Sequence, residues 1–80
     1  MPQNSLKSAV VWSKNNCQAC ETVKDLLAQH KYAFEIISVD TPHGLAEFRK
    51  QMPTARSVPQ VYIEDQYVGG LQEVKKFLAE

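Results

Sequence analysis

The sequence predicts a single α/β domain spanning residues 1–80 with the element order β-α-β-α-β-β-α, and three observations carry that prediction. Short apolar runs of strand character alternate with helical stripes, the first two runs stand a helix apart, and the last two are separated only by Glu64-Asp65-Gln66. A connection holding a helix of more than about ten residues makes the first two strands parallel, in a right-handed βαβ unit. The short gap makes the last two an antiparallel hairpin.

Ser8-Ala9-Val10-Val11-Trp12 is a continuous apolar run, the pattern of a strand covered on both faces. Lys14-Asn15-Asn16 breaks it with turn formers, and a helix follows from Cys17. Its inward stripe is Cys20, Val23, Leu26, Leu27 and His30, with Glu21, Lys24, Asp25 and Gln29 outward. His30, at the end of that stripe, is read as a capping or partly buried residue. Tyr32 to Val39 is rich in aromatic and β-branched residues and forms the second strand.

Thr41 then serves as N-cap with Pro42 at the first helical position, opening a helix that turns Leu45, Phe48 and Met52 inward and stops before Pro53. Gly44 counts against that helix, and His43 is a surface residue in its first turn. After the loop Thr54-Ala55-Arg56-Ser57, Val58-Pro59 leads into the third strand, Gln60-Val61-Tyr62-Ile63, and Tyr67-Val68 forms the fourth. Gly69-Gly70 supplies permissive dihedrals before a last helix with Leu71, Val74, Phe77 and Leu78 on one side.

Eighty residues give room for one core, and 44% hydrophobic with 22% charged residues is ordinary for a soluble globular chain. Nine basic residues balance nine acidic ones, so no global charge argues for nucleic acid or a membrane surface. The opening Met1-Pro2-Gln3-Asn4-Ser5-Leu6 lacks the basic and apolar regions of a secretory signal, and no run approaches the ~20 apolar residues of a membrane span. The expectation is a soluble protein in a reducing compartment, the cytoplasm.

The chemistry is expected at Cys17-Gln18-Ala19-Cys20, which holds both cysteines of the chain. At a helix N-terminus, Cys17 faces the positive end of the macrodipole and unpaired N–H groups, which favour the reactive thiolate. Cys20, one turn on along the same face, can reach back to close a disulfide. A loop of four residues contributes only about 2 kcal/mol by chain entropy against about 3 for fifteen, so such a bridge suits cycling better than stapling. Half of a zinc site is the alternative reading, but structural zinc needs four ligands, and His30 and His43 are not spaced as a second pair. Two small buried apolar residues meeting by accident is another.

Together, C-x-x-C after the first strand, Val-Pro before the third and Gly-Gly before the last helix resemble the glutaredoxins, the small branch of the thioredoxin fold. The resemblance runs from about Lys7 to the C-terminus. It implies a four-stranded mixed sheet, the hairpin antiparallel beside the first strand, with helices on both faces. It further implies that Cys17 attacks and Cys20 resolves, that the two form a redox disulfide, that Pro59 is cis, and that the Val58 backbone pairs with glutathione or a protein substrate as an added strand. Lys14 matches a lysine that favours the thiolate and meets the glycyl carboxylate of glutathione. Arg56 and Gln51 fall where the family contacts the same end, and Gly70, Leu71 and Gln72 would receive the γ-glutamyl carboxylate on backbone N–H groups.

Three departures stand out. Gln18-Ala19 replaces the common Pro-Tyr, Trp12 replaces the usual tyrosine, and Gln72 stands where an acidic residue usually grips the glutathione amino group, with Glu73 next along. The activity implied is glutathione-dependent reduction of protein disulfides or glutathione mixed disulfides by a monomeric dithiol enzyme without a metal. One rival is a glutaredoxin-like electron donor to ribonucleotide reductase recharged by thioredoxin reductase. The other is an iron-sulfur module ligated by Cys17 and glutathione, whose family members tend to carry Gly or Ser where this chain has Gln18.

Overall fold

The computed structural model describes residues 7–79, so the polar lead of residues 1–6 lies outside them. Seven elements follow in the expected order: β1 (Lys7–Ser13), α1 (Gln18–Gln29), β2 (Tyr32–Ser38), α2 (Pro42–Gln51), β3 (Gln60–Ile63), β4 (Gln66–Gly69) and α3 (Leu71–Ala79). The strands form one mixed sheet in the order β2-β1-β3-β4. β1 runs parallel to β2, in register from Lys7 opposite Tyr32 to Ser13 opposite Ser38, and antiparallel to β3.

The apolar run of β1 is explained by a core on each of its faces. Ala9 and Val11 point into one with Val23 and Leu27 of α1, Val61 and Ile63 of β3, and Val74 of α3. Trp12 points into the other with Phe48 of α2 and Met52. The Trp12 and Phe48 rings lie 5.7 Å apart, and the Trp12 indole N–H is buried with no hydrogen-bond partner among the described residues. Two helices thus cover one face and one helix the other, and β1, inside the sheet, carries the loop that leads to the cysteines.

The β3–β4 hairpin turns at Glu64 and Asp65, both at positive φ (51° and 67°), matching the right-handed strand twist. Thr41 caps α2, its Oγ1 accepting the Gly44 N–H at 3.0 Å. Gly44, which sequence pattern counted against this helix, is what allows it: a Cβ there would overlap the Ser38 carbonyl oxygen, so only glycine lets the first turn of α2 approach the end of β2.

One other expectation is corrected and one holds in part. Phe77 is not on the inward side of α3; it is 37% exposed and lines a shallow depression with Tyr67, Val68 and Lys76, because the nine-residue helix rests on the sheet through Val74 alone at full burial. The capping role expected of His30 is borne out, since it is the C-cap of α1 through its backbone, but its side chain is exposed and not part of the inward stripe.

Candidate active site

Cys17 is the N-cap of α1. It is extended (φ −123°), and its Sγ accepts the Cys20 N–H at 3.1 Å, where a serine or aspartate oxygen commonly sits. The two cysteines are disulfide-bonded, with Cα atoms 5.3 Å apart. Their surroundings differ sharply: Cys20 is fully buried, whereas Cys17 is half-buried at the start of the helix. Only the Cys17 sulfur is presented to an incoming group.

The loop before it is pinned from the side. Asn16 adopts φ 56°, a left-handed conformation that asparagine tolerates. The Asn15 N–H donates to Asp40 Oδ2 at 2.6 Å, and the Val39 N–H to the Ser13 carbonyl at 2.8 Å. Asp40 was missed as a site residue because its partner lies 25 positions away; the only local signal is an aspartate directly after a strand.

Beside the cysteines lies a groove of about 660 Å³. Ala19, between the two sulfurs in sequence, forms one side; Val58, Pro59, Gly70, Leu71 and Gln72 are among its other lining residues, so five expected contacts are brought together. The Val58–Pro59 bond is cis, and the ladder between β1 and β3 begins only at Gln60, leaving Val58 outside it. Lys14 and Arg56 are exposed in the flanking loops and do not line the groove. Gln51 is farther removed: it donates to Glu47 Oε1 at 3.3 Å and lines a separate depression with Trp12 and Ile37.

The far end of the groove is the start of α3. Gly69 sits at φ 126°, and Gly70 plays the N-cap part, its carbonyl accepting the Val74 N–H at 3.0 Å. The Gly70 N–H is not free for a ligand, since Glu73 Oε1 accepts it at 2.9 Å. That is half of a capping box, with the acidic residue at the third helical position reaching back to the cap. Glu73 therefore lines the groove with its carboxylate already engaged, and the donors remaining at this helix start are the backbone N–H groups of Leu71, Gln72 and Glu73.

A family model described as Glutaredoxin matches residues 9–68. Glutaredoxin-C2 of Arabidopsis thaliana is 38% identical over 71 residues, which cover 80% of this chain and 60% of the relative, so the chain spans less than two thirds of that protein's length. The glutaredoxin-like protein NrdH of Lactococcus lactis is 50% identical over 30 residues, 38% of this chain and 42% of its own. Among solved structures, the buckwheat glutaredoxin-glutathione complex superimposes with a TM-score of 0.76 at 28% identity, over 91% of this chain and 69% of that one. With the family model spanning residues 9–68 of the 80, and a relative and a solved structure of the same family aligning over most of the chain, the chain belongs to the glutaredoxin family.

Proposed function

We propose that the chain is a glutathione-dependent thiol-disulfide oxidoreductase working through Cys17 and Cys20. The observation that carries this is the capping geometry: an accessible sulfur held at a helix N-terminus by the Cys20 N–H, bonded to a second sulfur buried beneath it. Reduced, Cys17 faces an N–H donor and the positive helix end, both of which favour thiolate. The thiolate attacks one sulfur of a substrate disulfide, the other sulfur leaves as a thiolate that takes up a proton, and Cys17 is held in a mixed disulfide. Cys20, deprotonated, then attacks the Cys17 sulfur; the substrate leaves reduced and the Cys17–Cys20 bond forms. Two molecules of glutathione return the pair to the dithiol, leaving as glutathione disulfide.

The buckwheat relative is a glutathione complex, which supports placing the tripeptide in the groove of this chain. The Val58 backbone then pairs with the ligand, Leu71 and Gln72 offer N–H groups to its γ-glutamyl carboxylate, and Lys14 and Arg56 supply positive charge from the flanking loops. Gln51, on its separate depression, takes no part. The working setting is a monomer in a reducing compartment, with disulfide-bearing proteins as further substrates.

A second reading, an electron donor to ribonucleotide reductase recharged by thioredoxin reductase, is favoured by the 30-residue likeness to NrdH. Turnover of the mixed disulfide of glutathione with 2-mercaptoethanol separates the two. Glutathione with glutathione reductase is expected to sustain it; sole dependence on thioredoxin reductase with NADPH would overturn the first reading in favour of the second.

A further inference from the structure

Gln60 opens β3 and is 8% exposed, a polar side chain at a position facing the core across from Trp12. Burying a primary amide is costly unless both of its ends are satisfied. Both are, and each partner belongs to the groove. Nε2 donates to the Ser57 carbonyl at 2.9 Å, and Oε1 accepts the Tyr67 hydroxyl at 2.5 Å. Since a carbonyl can only accept, the Ser57 contact fixes which end of the amide is nitrogen. Tyr67 is itself braced by an edge-on contact with Tyr62, the ring centroids 5.4 Å apart. One amide thus ties the loop carrying Val58 and Pro59 to the aromatic wall on β4, and all five of Ser57, Val58, Pro59, Gln60 and Tyr67 line the groove.

We propose that Gln60 is a positioning residue for the substrate strand: through Ser57 and Tyr67 it holds the Val58 backbone at a set distance from β4, so that the ligand meets a preformed edge. This rests on the function proposed above. Substrate binding depends on the link, whereas the ionisation and intrinsic reactivity of Cys17, set at the start of α1, do not. Freeing the loop removes preorganisation and so weakens binding of the ligand.

The test uses the full chain and the glutathione–2-mercaptoethanol mixed disulfide as substrate. Gln60→Met keeps length and removes both hydrogen bonds; Tyr67→Phe removes only the hydroxyl and keeps the ring, so it reports even if the first variant fails to fold. Gln60→Met is expected to raise KM about tenfold, and Tyr67→Phe about threefold, within the range for losing a buried partner. The pH profile of Cys17 alkylation by iodoacetamide is expected to stay unchanged in both. An unchanged KM in folded Tyr67→Phe and Gln60→Met, or an alkylation profile that shifts with KM, overturns the inference. If the unaltered chain does not turn the substrate over, the proposed function falls first and this inference falls with it.

Discussion

The two helix starts that face the groove use the same backbone device for different ends. At α1 the cap is the proposed nucleophile, Cys17 Sγ receiving the N–H of Cys20 three residues on. At α3 the direction is reversed: the residue three along, Glu73, sends its carboxylate back to the N–H of Gly70. The first start spends its donor on the sulfur proposed to react; the second spends it on a fixed negative charge, next to where a ligand carboxylate is proposed to sit. In α2, away from the groove, Thr41 and Gly44 repeat the pattern with no chemistry attached. Spaced at positions i and i+3, C-x-x-C is a capping pair before it is a redox motif.

The sharpest way to break this comparison is Cys17→Ser. Serine is a good N-cap, so activity is expected to fall to background while the melting temperature, measured under reductant against the reduced parent, changes little. A variant that unfolds, or that still turns over, would separate capping from chemistry. Cys20→Ser, by contrast, leaves the Cys17 thiol and the capping N–H in place. It is expected to retain part of the turnover of glutathione mixed disulfides and to lose reduction of protein disulfides; complete loss of both in the coupled assay would reject one-sulfur chemistry.

Thr41→Ala supplies the control, with an expected loss of about 1 kcal/mol in denaturant unfolding and no change in turnover. The smallest effect is the most discriminating. Glu73→Ala frees the Gly70 N–H and removes a charge beside it, so the KM for glutathione is expected to fall about two- to fivefold, the scale of a charge at a helix end. A rise in KM would mean instead that Glu73 grips the ammonium group of the tripeptide.

Much of this was legible because it is local. The two-faced burial of β1, the parallel crossover, the cap at Thr41 and the placement of Cys17 all follow from patterns a few residues long. What escaped is contact at a distance. Gly44 reads as a helix breaker until the carbonyl of Ser38 is seen against it. Gln60 shows only as a polar residue opening an otherwise apolar strand, its role depending on Tyr67 across the hairpin. Gln72 and Glu73 read alike by position, and only the folded chain shows that it is the Glu73 side chain that turns back onto Gly70.

The buried indole described between the sheet and α2 has a practical consequence. Trp12 is the sole tryptophan of the chain, 2% exposed, against Phe48 and Met52. Its fluorescence therefore reports from one place, the layer opposite α1 and α3. Emission should move to longer wavelength when α2 lifts from the sheet, giving a built-in optical probe of unfolding in the variants that leave Trp12 and its strand partner Gln60 in place.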